Sequence, residues 1–214
     1  MSGPDEPKGG AGYASPPCFM HELDAAPSGV TTAPEVARWR KAERERLIAA
    51  RLDLSADLRA AHAARIAEQL DAAIGDVTGK VVAIYWPFRG EPDLRSWAQR
   101  VIERGGTVAL PVVVQKGAPL VFRAWKPGDK LEKGVWNIPI PAEDRQVMSD
   151  IVISPVVGFD AQNYRLGYGG GFYDRTLAAL PRKPIVIGVG YRLQKIPTIY
   201  PQPFDISMDR ILTE

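Results

Sequence analysis

The segment Gly158 to Arg175, GFDAQNYRLGYGGGFYDR, places Gly167, Gly169, Gly170 and Gly171 between an apolar run and a stretch of helical pattern. Glycines at such a junction let backbone N–H groups turn toward an anion without interference from a Cβ, and the helix start adds partial positive charge. Phosphate is the natural ligand of that arrangement, although a tight turn with no ligand uses the same residues. The spacing excludes two common nucleotide sites. A P-loop needs Gly-Lys-Ser/Thr after its second glycine, and the dinucleotide pattern needs glycine where Phe172 stands. Asp174, just inside the helix start, serves either as a helix-stabilising charge or as a magnesium ligand beside bound phosphates.

The surrounding pattern is that of an α/β sheet. Lys80 to Trp86 is a buried-strand run; Pro92 opens a helix carrying Leu94, Trp97, Val101 and Ile102, which Gly105 and Gly106 stop; Val108 to Val114 is the next strand. Asp150 to Val157 and Pro184 to Gly190 form a second strand pair around the Gly-rich loop and a helix from about Phe172 to Leu180. Both units read as βαβ, which implies parallel strands. Leu120 to Trp125 adds a strand, and Lys126 to Pro141, broken by Pro and Gly, reads as a structured loop. Two helices come first: Glu35 to Arg51, then one capped by Ser55, with Leu58, Ile66, Leu70 and Ile74 on one face, ending at Gly75. The expected architecture is a single three-layer, Rossmann-like α/β domain over residues 35–214, its sheet mostly parallel, with helices on both faces.

Residues 1–34 are rich in Gly, Pro, Ser and Ala and are expected to form a flexible tail. Within it, Pro16 to Leu23 is locally apolar, and Cys18 and His21 have the spacing of half a metal site without a second pair to complete it. Across 214 residues, 27 Lys and Arg against 25 Asp and Glu leave a net charge of +2, so no global field favours nucleic acid or anionic lipid. Any anion site must be local. One cysteine cannot form an internal disulfide, and no apolar run approaches the roughly 18 residues of a membrane span. No targeting segment is evident, and a cytoplasmic monomer is expected.

Taken together, VGFDAQNYRLGYGGGFYDR, WNIPIP at Trp136 to Pro141, YWPFRGEPDL at Tyr85 to Leu94 and the ending PFDISMDRILTE resemble the 5-formyltetrahydrofolate cyclo-ligase family, over the span from about Arg38 to the C-terminus. The resemblance implies ATP- and Mg²⁺-dependent closure of 5-formyltetrahydrofolate to 5,10-methenyltetrahydrofolate through a phosphorylated imino intermediate. It implies an ATP site made of Arg40, Arg44 and the stretch Arg165, Leu166, Gly167, Tyr168, Gly169, Gly170, Gly171, Phe172 and Tyr173. Catalytic weight falls on Arg44, Arg165 and Tyr173. The loop Tyr168 to Phe172 also faces the folate, together with Trp86, Glu91 and Trp136. Magnesium falls to Asp174 and Asp205, with Asp209 as the nearby alternative. Some family members carry basic residues where this chain has Tyr168 and Gly170, and arginine stands at position 40 where lysine is frequent. Taken by themselves, Trp86 and Trp136 also suit a core, and Glu91 also suits helix-start electrostatics.

Overall fold

A computed structural model describes residues 29–30 and 32–214. The expected tail, with Cys18 and His21, lies almost wholly outside the described residues. Helix α1 (Ala33–Leu52) begins where the Glu35 carboxylate accepts hydrogen bonds from the amide and hydroxyl of Thr32, both at 2.8 Å. Helix α2 (Ala56–Ile74) is capped by Ser55, whose hydroxyl accepts from the Leu58 amide, and it ends at Gly75 in a left-handed φ of 68°. Its buried stripe is Ala63, Ile66, Ala67 and Leu70; Leu58, expected on that face, is 42% exposed.

The sheet follows. Its strands are β1 (Val81–Ala83), β2 (Thr107–Val112), β3 (Val121–Ala124), β6 (Gln146–Val147), β7 (Ile151–Pro155), β10 (Ile185–Val189) and β11 (Arg210–Leu212), in the order β11-β10-β7-β1-β2-β3-β6. The neighbours from β11 through β2 are parallel, and β3 is antiparallel to both β2 and β6. Short hairpins complete the chain: β4 (Leu131–Lys133) with β5 (Pro139–Pro141), and β8 (Gly158–Phe159) with β9 (Arg165–Leu166). The stretch from Lys126 to Pro141, read as a loop, therefore contains a hairpin.

Helix α3 (Arg95–Glu103) joins β1 to β2, and helix α4 (Phe172–Ala179) joins β7 to β10. The first starts three residues after Pro92, because the Asp93 carboxylate accepts from the Arg95 amide at 3.0 Å and sets the helix start there. Trp97, Ala98 and Val101 of α3 join Ile66 and Leu70 of α2 over Val82, Leu110, Ile153 and Ile187 on one face of the sheet. Leu177 of α4 packs on the other face against Val186 and Met208. The layers are helix, sheet, helix, as the two βαβ patterns imply. The crossovers from β1 and β7 leave toward opposite faces, so the loops after these adjacent strands diverge and open a crevice at their carboxyl ends.

Candidate functional site

That crevice is a cleft with an empty volume of about 1280 Å³, counting its open mouth. Trp86, Phe88 and Glu91 enter it from the segment after β1, Trp136 from the turn between β4 and β5, the Gly-rich loop and Asp174 from the start of α4, Arg40 and Arg44 from α1, and Asp205 from the segment before β11. The sequence-nominated residues, scattered over 166 positions from Arg40 to Asp205, thus line one cavity.

Gly169 and Gly171 hold left-handed φ values of 91° and 61°, which bend the loop away from its helix. A Cβ on Gly169 would lie 3.3 Å from Cζ of Arg44, and one on Gly171 would lie 2.8 Å from Nη1 of Arg175. Two guanidinium groups therefore rest against bare backbone. Arg175 also donates to the Gly170 carbonyl and covers the Phe172 ring at 5.3 Å, bracing the loop from within α4.

The basic pair divides its work. Arg40 donates to the carbonyls of Ile199 and Tyr200, each at 2.9 Å, and forms an ion pair with Asp205, with both side chains nearly buried. Arg44 uses only Nε, which donates to the Gly167 carbonyl at 2.6 Å; its terminal nitrogens have no partner among the described residues. Burial and the neighbouring charge of Arg40 hold the Arg44 guanidinium below its ordinary pKa, an electrostatic deficit that a bound anion would relieve.

Asp174 pairs with Arg165 at 2.7 Å and accepts from the Ile206 amide at 3.0 Å, both through Oδ1. Oδ2 has no partner among the described residues. Ile206 follows Asp205, and both Asp174 and Asp205 line the cleft. No cluster of three metal-type side chains occurs among the described residues. Two carboxylates suit a hard cation that keeps waters and takes phosphate oxygens for the rest of its shell. Asp209 is elsewhere. It exchanges hydrogen bonds with Val186 at the amino end of β10. Because β11 runs parallel to β10, its first residues start at the end of the sheet opposite the cleft, which removes Asp209 as an alternative ligand.

Arg165 is 7% exposed and committed to Asp174 and the Ile206 carbonyl, so it anchors the loop instead of projecting from it. Tyr173 lines the cleft with the Arg165 guanidinium 5.6 Å from its ring centre, and burial holds its phenol well above the usual tyrosine range. It forms part of the cleft wall.

The other half of the cleft is aromatic. Phe88 and Trp136 lie nearly parallel, 11° apart with centroids at 6.0 Å, and Tyr168 meets both at its edge. Trp136 is 54% exposed and has a left-handed φ of 56°, so it is not a core residue. Trp86 is half-buried against Trp125, with the Arg95 guanidinium on its face. Glu91 is 5% exposed beneath these rings, accepting from the Phe88 amide and the Tyr168 hydroxyl at 2.9 Å each. Burial pushes its carboxyl up to about 7. It does not belong to a helix start, since α3 begins four residues later.

The model of the 5-formyltetrahydrofolate cyclo-ligase family matches residues 36–214, a span that includes every residue of this cleft. The chain belongs to that family. A 5-formyltetrahydrofolate cyclo-ligase of Haemophilus influenzae is 29% identical over 158 residues, covering 71% of this chain and 81% of the relative. That of Escherichia coli K12 is 32% identical over 144 residues, covering 64% and 79%. The NMR structure of Aquifex aeolicus 5,10-methenyltetrahydrofolate synthetase superposes with a TM-score of 0.69 at 27% identity, over 80% of this chain and 88% of that one. The fold is shared as well with a 5,10-methenyltetrahydrofolate synthetase of Mycoplasma pneumoniae, at a TM-score of 0.67 and 24% identity, over 81% and 98% of the two chains.

Within this cyclo-ligase family cleft, sequence reasoning passed over Phe88, Arg175 and Arg51. Phe88 and Arg175 sit inside quoted motifs and go unnoticed only because a ring or a charge next to glycines does not show where it points. Arg51 is fully buried in the last turn of α1 and reaches the Tyr168 hydroxyl at 2.7 Å. Its signal was present: it lies seven residues after Arg44, on the same face of α1.

Proposed function

We propose that this protein closes 5-formyltetrahydrofolate to 5,10-methenyltetrahydrofolate, with ATP as co-substrate and Mg²⁺ as the required ion, releasing ADP and phosphate. The observation that carries this reading is the meeting, in one cleft, of a glycine cradle beside the unpartnered nitrogens of Arg44 and an aromatic recess that ends in a buried carboxylate. The first half suits a polyphosphate, and the second suits a flat ring with a donor-rich edge. The names carried by the relatives agree with that pairing.

No Ser, Cys or His lines the cleft among the described residues, and in this reading the nucleophiles are the substrate's own formyl oxygen and nitrogen 10. The formyl oxygen takes the γ-phosphoryl group as the bond to ADP breaks, which makes the formyl carbon an imino phosphate. Nitrogen 10 attacks that carbon, loses its proton, and phosphate departs with the former formyl oxygen. Magnesium, held by Asp174 and Asp205, would neutralise charge on the transferred group. Arg44 and the amides of Gly169 to Gly171 would share that stabilisation from fixed positions, while Arg40 and Arg165 hold the carboxylates in place. Glu91 would accept hydrogen bonds from the pterin edge, with Phe88, Trp136 and Tyr168 on the ring faces. A monomer in a reducing cytoplasm is part of this reading, and the single cysteine is compatible with that compartment.

Mixing the protein with 5-formyltetrahydrofolate and Mg-ATP is expected to produce the near-ultraviolet absorbance of methenyltetrahydrofolate. Folded protein that binds folate but yields no product would identify a binding protein on this scaffold instead.

A further inference from the structure

Arg51 is a fully buried cation with no ion pair among the described residues, and the chemistry proposed above does not use it. Its guanidinium donates to the Arg89 carbonyl at 2.8 Å, the Val156 carbonyl at 3.3 Å and the Tyr168 hydroxyl at 2.7 Å. Burying a lone guanidinium is costly unless a counter-charge is near. The counter-charge is Glu91, one hydroxyl away, because Tyr168 Oη also lies 2.9 Å from Glu91 Oε1.

Proton counting fixes the direction of this chain. A guanidinium only donates, so it occupies a lone pair of the Tyr168 oxygen; the hydroxyl has one proton, and its short acceptor is Glu91, with the Phe88 carbonyl more distant at 3.4 Å. The other oxygen of Glu91 accepts from the Phe88 amide. Both protein partners of Glu91 are therefore donors, an environment that selects the carboxylate and opposes the burial that disfavours it.

We infer that Arg51 and Tyr168 are positioning residues for this reaction: Arg51 orients the Tyr168 hydroxyl, and that hydroxyl holds Glu91 ionised, with its remaining lone pairs available to the folate. The inference rests on the proposed role of Glu91 as the folate contact. It assigns a purpose to the tyrosine of the glycine loop, whose hydroxyl links Arg51 to Glu91. Here the cation comes from α1 and acts through the phenol.

The groups facing Glu91 leave its titration legible. Arg51 approaches from α1, Tyr168 from the Gly-rich loop, Tyr173 from α4, Tyr85 from the end of β1 and Tyr191 from the segment after β10. The phenols of Tyr85, Tyr168 and Tyr173 are held well above the usual range, chiefly by burial, and that of Tyr191 is pushed up to about 12. No tyrosine titrates in the window of Glu91.

The test is Tyr168→Phe, which keeps the ring beside Phe88 and Trp136 and removes only the hydroxyl. Two readouts are needed: the titration of the Glu91 carboxyl carbon by NMR in the ligand-free protein, and kcat/KM for 5-formyltetrahydrofolate against pH at saturating Mg-ATP. Losing one hydrogen bond to a charged group is expected to raise the titration midpoint and the acid limb together by about one pH unit. KM at neutral pH should rise about fivefold with kcat little changed, since a one-unit rise from about 7 lowers the ionised fraction at pH 7 from about one half to about one eleventh. Arg51→Lys, which keeps a charge but loses the forked geometry, should move both in the same direction. An unmoved midpoint in either folded variant overturns the inference. Absence of turnover in the wild-type protein would overturn the proposed function, whereas the NMR midpoint would still decide this one.

Discussion

Arg40 and Arg44 sit one turn apart on the same helix, yet their replacement by methionine should have opposite consequences. Arg40→Met removes the partner of a nearly buried Asp205 and strands the carbonyls of Ile199 and Tyr200. Breaking such a pair leaves an uncompensated charge, at a cost of about 3–5 kcal/mol. Arg44→Met keeps the aliphatic stem and removes one hydrogen bond, to Gly167, together with a guanidinium whose charge burial and Arg40 already disfavour. Its stability cost should stay within about 1 kcal/mol. The activities should diverge from this order. Loss of a preorganised donor to a transferring phosphoryl group is worth about 3–4 kcal/mol, or 10²–10³ in kcat. Urea denaturation and the rate of methenyltetrahydrofolate formation measure the two quantities separately. Equal destabilisation by the two substitutions, or wild-type kcat in Arg44→Met, would refute the division of labour between them.

Glu91, raised in the folded state from 4.5 to about 7, makes its stabilising contribution below the unfolded pKa and loses it as pH rises through the folded one. Relative to Glu91→Gln, wild-type stability should therefore fall between about pH 4.5 and 7, by at most about 3 kcal/mol, as thermal melts across pH would show. Wild-type kcat/KM for the folate should rise up to about pH 7 and level off above it, because the ionised form accepts the pterin donors. Gly169→Ala places a Cβ against Arg44 at a φ of 91°; nucleotide affinity measured by calorimetry should drop at least about tenfold, since a distorted cradle loses a charge-assisted contact. Asp174→Asn keeps an acceptor for the Ile206 amide but removes the charge opposite buried Arg165. It should raise the Mg²⁺ concentration needed for half-maximal rate and also destabilise the fold by about 1–3 kcal/mol, so titration and melting must be read together.

Both βαβ units, the caps at Ser55 and Gly75, and the glycine cradle were legible in the chain because each depends on short-range rules: apolar period, a capping hydroxyl, a residue without Cβ. Misplacements had local causes too. The start of α3 moved from Pro92 to Arg95 because a neighbouring aspartate captured the first amide. Leu58 fits the helical stripe but is 42% exposed in the first turn of α2.

The amino-acid order supplied the residue types proposed to meet phosphate-like and ring-like ligands, since glycine spacing, charged pairs and aromatic segments are properties of the chain itself. Only tertiary packing decided which arginine keeps free nitrogens, which aspartate faces the cleft, and that a buried arginine governs Glu91 through a tyrosine. A side chain's available hydrogen bonds and the cost of its charge depend on groups that fold beside it from more than a hundred residues away, and no local pattern encodes that company.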